Sequence, residues 1–173
     1  KSSMSARDQL MGLLAELGIV AATHEHPPVY TVEEAQAHTA HLPGGHCKNL
    51  FLKDKKGQLF LVVCLDSQEV RINALARRLG AARLSFGNAE LLLATLGVTP
   101  GSVTPFALIN DVERKVQPVL DAKMLRHEIL NYHPLTNEAT VSIGSAELTR
   151  LLTHWGYRPI ILDLDEVSDA PEA

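Results

Sequence analysis

Apolar residues recur at Leu10, Leu13, Leu14 and Leu17. This is the i, i+3, i+4, i+7 spacing of a helix with one buried face, predicted over 5–17 with Gly18 as its stop. Residues 19–26 read as a strand that ends at Pro27-Pro28. Thr31 with Glu34 three residues on is a capping box and predicts a helix over 32–40. Pro43-Gly44-Gly45 then forces a flexible loop. Two apolar, β-prone runs, 49–53 and 59–65, flank Asp54-Lys55-Lys56-Gly57 and read as a hairpin. A helix over 70–79 stops at Gly80, a short strand covers 83–86, and Asn88 caps a helix over 89–96. Four further strands are expected over 106–109, 116–120, 128–132 and 139–143. Pro118 demotes the second of these to a sheet edge. Ser145 is expected to cap a last helix over 146–155 that stops at Gly156, and 159–164 closes the fold as a strand. Strands and helices mix without strict βαβ alternation, and no repeat or linker divides them. The pattern predicts a single α+β domain.

Composition narrows the class. A chain of 173 residues is about one domain long. With 46% hydrophobic and 21% charged residues, it is neither disordered, collagen-like nor a coiled coil. Lys and Arg number 16 against 20 Asp and Glu, a formal net charge of −4, which argues against a polybasic nucleic-acid binder. Cys47 and Cys64 are too few to staple a small secreted domain and read as reduced thiols of a cytoplasmic protein. Residues 1–4 read as an appended remnant with no signal-peptide core, 5–164 as the domain, and 165–173 as a frayed acidic tail. Residues 91–110 carry no charge over the length of a membrane span, but Gly97, Pro100, Gly101 and Pro105 break them into helix end, loop and strand.

Several chemical signals fail on spacing. Five of the eight histidines fall between His24 and His46, but the pairs His24-x-His26 and His38-x-x-His41 straddle a Pro-Pro break with no Cys-x-x-Cys to support them. They read as solvated or capping histidines, with no metal site. His46 and Cys47 are adjacent on a strand, so they point to opposite faces and would not pair as base and nucleophile. No Gly-x-Ser-x-Gly elbow and no phosphate loop of the Gly-x-x-x-x-Gly-Lys type are present. Three features remain. Lys48 and Asn49 stand at the entry of an apolar strand, where the lysine either reaches a cleft and holds a phosphate or sits in solvent. Gly101 to Pro105 form Gly-x-x-x-Pro, either an ordinary loop or a turn offering backbone N–H groups to an oxyanion. His133 precedes Pro134 at a strand end and is either a capping histidine or a functional one.

In this order, His26-Pro27-Pro28-Val29-Tyr30-Thr31, Lys48-Asn49-Leu50-Phe51-Leu52, Gly101-Ser102-Val103-Thr104-Pro105-Phe106 and His133-Pro134-Leu135-x-Asn137 span most of the chain. The set resembles the freestanding relatives of the editing domain inserted in bacterial prolyl-tRNA synthetase, the YbaK-like aminoacyl-tRNA deacylases. The resemblance implies one α+β domain with a mixed, mostly antiparallel sheet curled into a barrel-like core with flanking helices. It implies hydrolysis in trans of mischarged tRNA. The Pro-Pro-Val-Tyr segment and the Ser-Val-Thr filling of the Gly-x-x-x-Pro loop point to the branch that removes alanine from tRNA(Pro). Removal of cysteine or another small amino acid is the alternative within that class, and a non-catalytic tRNA-end-binding module or a histidine-based metallohydrolase are the alternatives outside it.

That family implies no cofactor and no protein nucleophile, with the neighbouring ribose 2′-hydroxyl activating water. Lys48, Gly101 and His133 are then the catalytic candidates. Lys48 orients the terminal phosphate or ribose, the Gly101 loop stabilises charge on the ester carbonyl, and His133 sits at the pocket wall. Asn49, Ser102 and Pro105 are assigned to substrate binding. Val29, Tyr30 and Phe106 are the candidate walls of a pocket that admits alanine and excludes proline. A Cβ at Gly101 is expected to crowd the substrate. The implied partner is the aminoacylated 3′ end of tRNA, with association to prolyl-tRNA synthetase and no contact with DNA or membrane. Lys48, Lys53, Lys55 and Lys56, on one hairpin, would supply the local positive charge that the net charge of −4 does not.

Overall fold

The computed structural model describes residues 5–167. The segment 1–4 and the tail 168–173 lie outside the described residues. Helix α1 (Ala6–Glu16) starts where Ser5 Oγ accepts the Asp8 N–H, and it buries Leu10 and Leu14. Strand β1 (Ala21–Glu25) follows, then α2 (Val32–Thr39), whose cap is the Thr31 side chain accepting from Glu34 N. The hairpin β2 (Gly45–Asp54) and β3 (Leu59–Leu65) turns on Asp54, whose Oδ1 accepts the N–H groups of Lys56 and Gln58. Helix α3 (Ile72–Leu79), strand β4 (Leu84–Phe86) and helix α4 (Ala89–Leu96) come next. Strands β5 (Val116–Asp121), β6 (Ile129–Tyr132) and β7 (Ala139–Gly144), helix α5 (Ser145–His154) and strand β8 (Ile160–Leu162) complete the chain.

Among the described residues, the strands form one sheet in the order β1-β7-β6-β2-β3-β5-β8, with β4 paired to β2. Four of its seven pairings are antiparallel; β2–β6, β3–β5 and β5–β8 are parallel. The mixed α+β sheet with flanking helices is the architecture the sequence predicts. Its central strands are covered on both faces, so their apolar runs are continuous instead of alternating. Leu59, Leu61 and Val63 of β3 pack with α1, α4 and α5, while Phe60, Val62 and Cys64 face α3 and the C-terminal segment.

Four expectations are corrected. Residues 106–109 are not a strand: they belong to a 3-10 helix, Pro105–Asn110. Thr104 caps it by accepting from Phe106 N, and Pro105 sits in its first turn, so a helix-start signal overrides the apolar run. Strand β5 is interior, between β3 and β8. Its ladder to β8 begins at Val119, one residue past Pro118, so the proline needs no donor on that side. Gly144, not Ser145, holds the N-cap of α5, without a side-chain bond. Finally, the chain does not fray at Asp165. Gln68 Nε2 and Lys123 Nζ donate to its carboxylate at 2.8 and 2.6 Å, and Val167 is buried.

One irregularity opens the sheet. Strand β2 pairs with β6 only at Gly45 and His46, and with β4 only from Leu52 to Asp54. Between these points β2 has β3 on one side and no strand on the other.

Candidate active site

A cavity of about 170 Å³ lies against this unpaired stretch, lined by Cys47, Lys48 and Asn49 of β2, by Tyr132 at the end of β6 and His133 after it, and by Gly101. Strand geometry explains what β2 offers there. The His46 carbonyl accepts from Asp66 N beyond β3, whereas the Phe51 carbonyl accepts from Gly87 N after β4. Backbone groups alternate sides along a strand, so the N–H and C=O of Asn49 point away from β3, toward the opening. The Asn49 side chain adds a buried Oδ1 with no hydrogen-bond partner. A buried acceptor left without a donor costs about 1–3 kcal/mol. Lys48, on the other face of β2, is half-buried and makes no ion pair among the described residues.

The start of β2 is held from behind. Asn131 Nδ2 donates to the carbonyls of Pro43 and Gly45 at 3.1 and 3.0 Å, and Asn131 Oδ1 accepts from Ser142 Oγ at 2.6 Å. Gly44 has φ of 97°, and a Cβ there would lie 2.3 Å from the Ile129 carbonyl oxygen. The glycine loop expected to be flexible is therefore a clamp between β2 and β6.

Gly101 lies in a short 3-10 turn, Pro100–Ser102, whose first hydrogen bond runs from Ser102 N to Thr99 O at 2.9 Å. The Gly101 N–H precedes that bond and has no acceptor within the turn. A Cβ on Gly101 would stand 3.3 Å from Tyr30 Cδ1 and 3.5 Å from Asn137 Nδ2. It would thus press on the Tyr30 segment, and its effect on a substrate would be indirect, in contrast to the direct crowding expected. Asn137 ties that segment down: its Nδ2 donates to Val29 O at 2.9 Å, and Val29 N donates to Asn137 O at 3.1 Å. Val29 is 2% exposed, whereas Tyr30 is 72% exposed at the cavity rim.

His133, which lines the cavity, donates through Nδ1 to the Ala139 carbonyl at 3.0 Å, so in the neutral ring Nε2 is the nitrogen that can accept a hydrogen bond. Burial, and secondarily the neighbouring His26, lower its pKa and favour the neutral ring. His26 packs edge-on against His133 at 6.1 Å and stacks on His38 at 5.9 Å. Its Nδ1 bonds Pro27 O at 2.9 Å and its Nε2 bonds Thr140 Oγ1 at 2.8 Å, so the ring is fully engaged. The Cys47 thiol is pushed up to about 12, mainly by burial, and so is that of Cys64. Neither is a thiolate near neutral pH.

Six of the nine residues singled out from the sequence therefore meet at one cavity: Lys48, Asn49, Gly101, His133, Val29 and Tyr30. Ser102, Pro105 and Phe106 do not line it. Ser102 and Pro105 are buried in the 3-10 helices Pro100–Ser102 and Pro105–Asn110, and Phe106, fully buried, packs edge-on against Tyr132 at 5.9 Å. Sequence reading gave no role to Gln36, Asp66, Asn131 or Thr140, which also line the cavity. Asn131 and Thr140 could have been found as buried polar residues in apolar strands. Asp66, directly after β3, carries no such signal.

Comparison with known proteins places the chain in a family. The aminoacyl-tRNA editing domain matches residues 26–151. The chain is 44% identical over 161 residues to the Danio rerio prolyl-tRNA synthetase associated domain-containing protein 1, covering 92% of this chain and 88% of that one. It is 34% identical over 150 residues to the prolyl-tRNA editing protein ProX of Acetoanaerobium sticklandii, covering 86% and 92%. A crystal structure described as a candidate trans-editing enzyme for prolyl-tRNA synthetase superposes with a TM-score of 0.70 at 20% identity, over 94% of this chain and 99% of that one. The motifs around Lys48, Gly101 and His133 lie within the matched segment, and the chain belongs to the aminoacyl-tRNA editing domain family.

Proposed function

We propose that this protein acts in trans as a deacylase, hydrolysing the ester that links alanine to the 3′ end of tRNA(Pro). The observation that carries the reading is the coincidence, in one small cavity, of Lys48, the outward Asn49 edge, the Gly101 turn and His133. No activated nucleophile stands among them, since the one thiol there stays protonated. Such a site suits attack by water on a bound ester better than an acyl-enzyme route.

Lys48 holds the terminal phosphate or ribose and thereby fixes the ester over the cavity. The Gly101 and Asn49 N–H groups face the carbonyl oxygen, where negative charge develops as water adds. The ribose 2′-hydroxyl activates that water, and His133 Nε2 accepts a hydrogen bond from it. Tyr30, exposed at the rim, offers a ring face to the terminal adenine. Size then decides the amino acid. One methylene in an apolar pocket is worth only about 1–3 kcal/mol, so a synthetase that binds proline admits alanine, and a second, smaller site removes the error. The name of a relative, a prolyl-tRNA synthetase associated domain-containing protein, supports association with that synthetase; the proposed place of action is the cytoplasm, where charged tRNA is used.

The test is release of labelled alanine from Ala-tRNA(Pro). Multiple turnovers are expected, with full activity in chelator. Lys48→Ala should lower kcat/KM about 100-fold or more with the melting temperature unchanged, because Lys48 makes no ion pair among the described residues. Retained activity would remove Lys48 from the mechanism.

A further inference from the structure

An aminoacyl ester carries a group that none of the roles above receives: its α-ammonium. We propose that Asp66 is the receptor for that ammonium, an inference that rests on the deacylase reading. Among the described residues, Asp66 is the one carboxylate lining the cavity. Its N–H donates to His46 O at 2.8 Å, so pairing across β2 and β3 fixes its backbone beside the cavity wall. Its Oδ2 accepts from Gln36 Nε2 of α2 at 3.1 Å, which holds the carboxylate while leaving acceptor capacity on both oxygens. It makes no ion pair among the described residues. A half-buried carboxylate without a cationic partner, in a cavity whose substrate brings a cation, supplies the missing charge complement.

The placement also bears on selectivity. With the carbonyl oxygen at the Gly101 turn and the ammonium at Asp66, two substituents of the α-carbon are fixed. The methyl group of L-alanine is then directed to one place, and the apolar lining that can receive it is Val29, Ala35 and Val103. In proline the nitrogen and the side chain are one ring. A proline nitrogen held at Asp66 drags its methylenes into the space between the carboxylate and that wall, where alanine has no atoms. Asp66 is thus a substrate-positioning group that separates a primary ammonium from a cyclic secondary one.

The test compares kcat/KM for alanyl-tRNA(Pro) and lactyl-tRNA(Pro), in which a hydroxyl replaces the ammonium, each divided by its uncatalysed hydrolysis rate. The unsubstituted protein should prefer the alanyl ester about 10- to 100-fold, the span of one charge-assisted hydrogen bond. Asp66→Asn should lose that preference by slowing on the alanyl ester while changing less than about threefold on the lactyl ester. Asp66→Glu, which keeps the charge, should restore part of it. Equal normalised rates on the two esters with the unsubstituted protein would overturn the proposal whether or not a variant folds. An unchanged preference in Asp66→Asn would overturn it as well. Hydrolysis of neither ester by the unsubstituted protein would instead overturn the deacylase reading, and this subsite with it.

Discussion

Asn49 concentrates the cost of keeping this site ready. Its backbone N–H and C=O face a strand edge with no neighbouring strand, and its Oδ1 is buried without a donor, a group that most folds would pair. Such groups are retained where a ligand completes them. His133 is a second group at the cavity whose placement costs stability. Its folded pKa lies below the ordinary 6.5, chiefly because the ring is buried. The sign follows: below the unfolded pKa the unfolded chain binds the proton more readily than the folded one. Stability from this group is therefore fully present above about pH 6.5 and declines as pH falls toward the lowered folded pKa. His133→Gln should flatten that decline by up to about 1.4 kcal/mol per pH unit, read as unfolding free energy between pH 5 and 7.5. Parallel pH profiles for the two proteins would show that His133 is not held neutral by burial.

At the scale of elements, the site exists because β2 leaves one neighbour before it meets the next. The Gly44 clamp sets where that happens. Gly44→Ala combines a left-handed φ with a Cβ 2.3 Å from the Ile129 carbonyl oxygen. It should cost more than about 2 kcal/mol in denaturant unfolding and lower kcat/KM together with it. A neutral substitution would show that the clamp is not rigid. The elements that the sequence predicted well are those with local chemistry: the Thr31 cap of α2, the Asp54 hairpin and the Asn88 cap of α4. Where the pattern misled, tertiary context had overridden it. The run 106–109 has strand composition, but Thr104 and Pro105 start a helix, and Pro118 fits inside a sheet because β8 begins one residue later. The site was legible where motif and position coincide, at Lys48, Gly101 and His133. It was not legible at Asp66, which reaches the cavity through its pairing to His46 directly after β3, or at Phe106, where an apolar run fits a pocket wall and the core alike and the side chain is buried in the core.

Over the whole molecule, the net charge of −4 first counted against a nucleic-acid partner. The structure refines that. Lys48 lines the cavity while Lys55 and Lys56 lie past the far end of β2, roughly 23 Å away along an extended strand, so they do not cluster at the cavity. A partner held by one end and a few phosphates should bind weakly. The plot of log kcat/KM against log salt should have a slope of about −1 to −3, and a slope near −8 would indicate an extended interface instead. The central claim is narrower: one cavity hydrolyses a small aminoacyl ester and spares the cognate one. Initial deacylation rates on Ala-, Cys-, Ser- and Pro-tRNA(Pro), measured side by side with the unsubstituted protein, test it most directly. The account predicts rapid loss of alanine, with Pro-tRNA(Pro) decaying at its uncatalysed rate. Hydrolysis of Pro-tRNA(Pro) as fast as Ala-tRNA(Pro), or of neither, would contradict it.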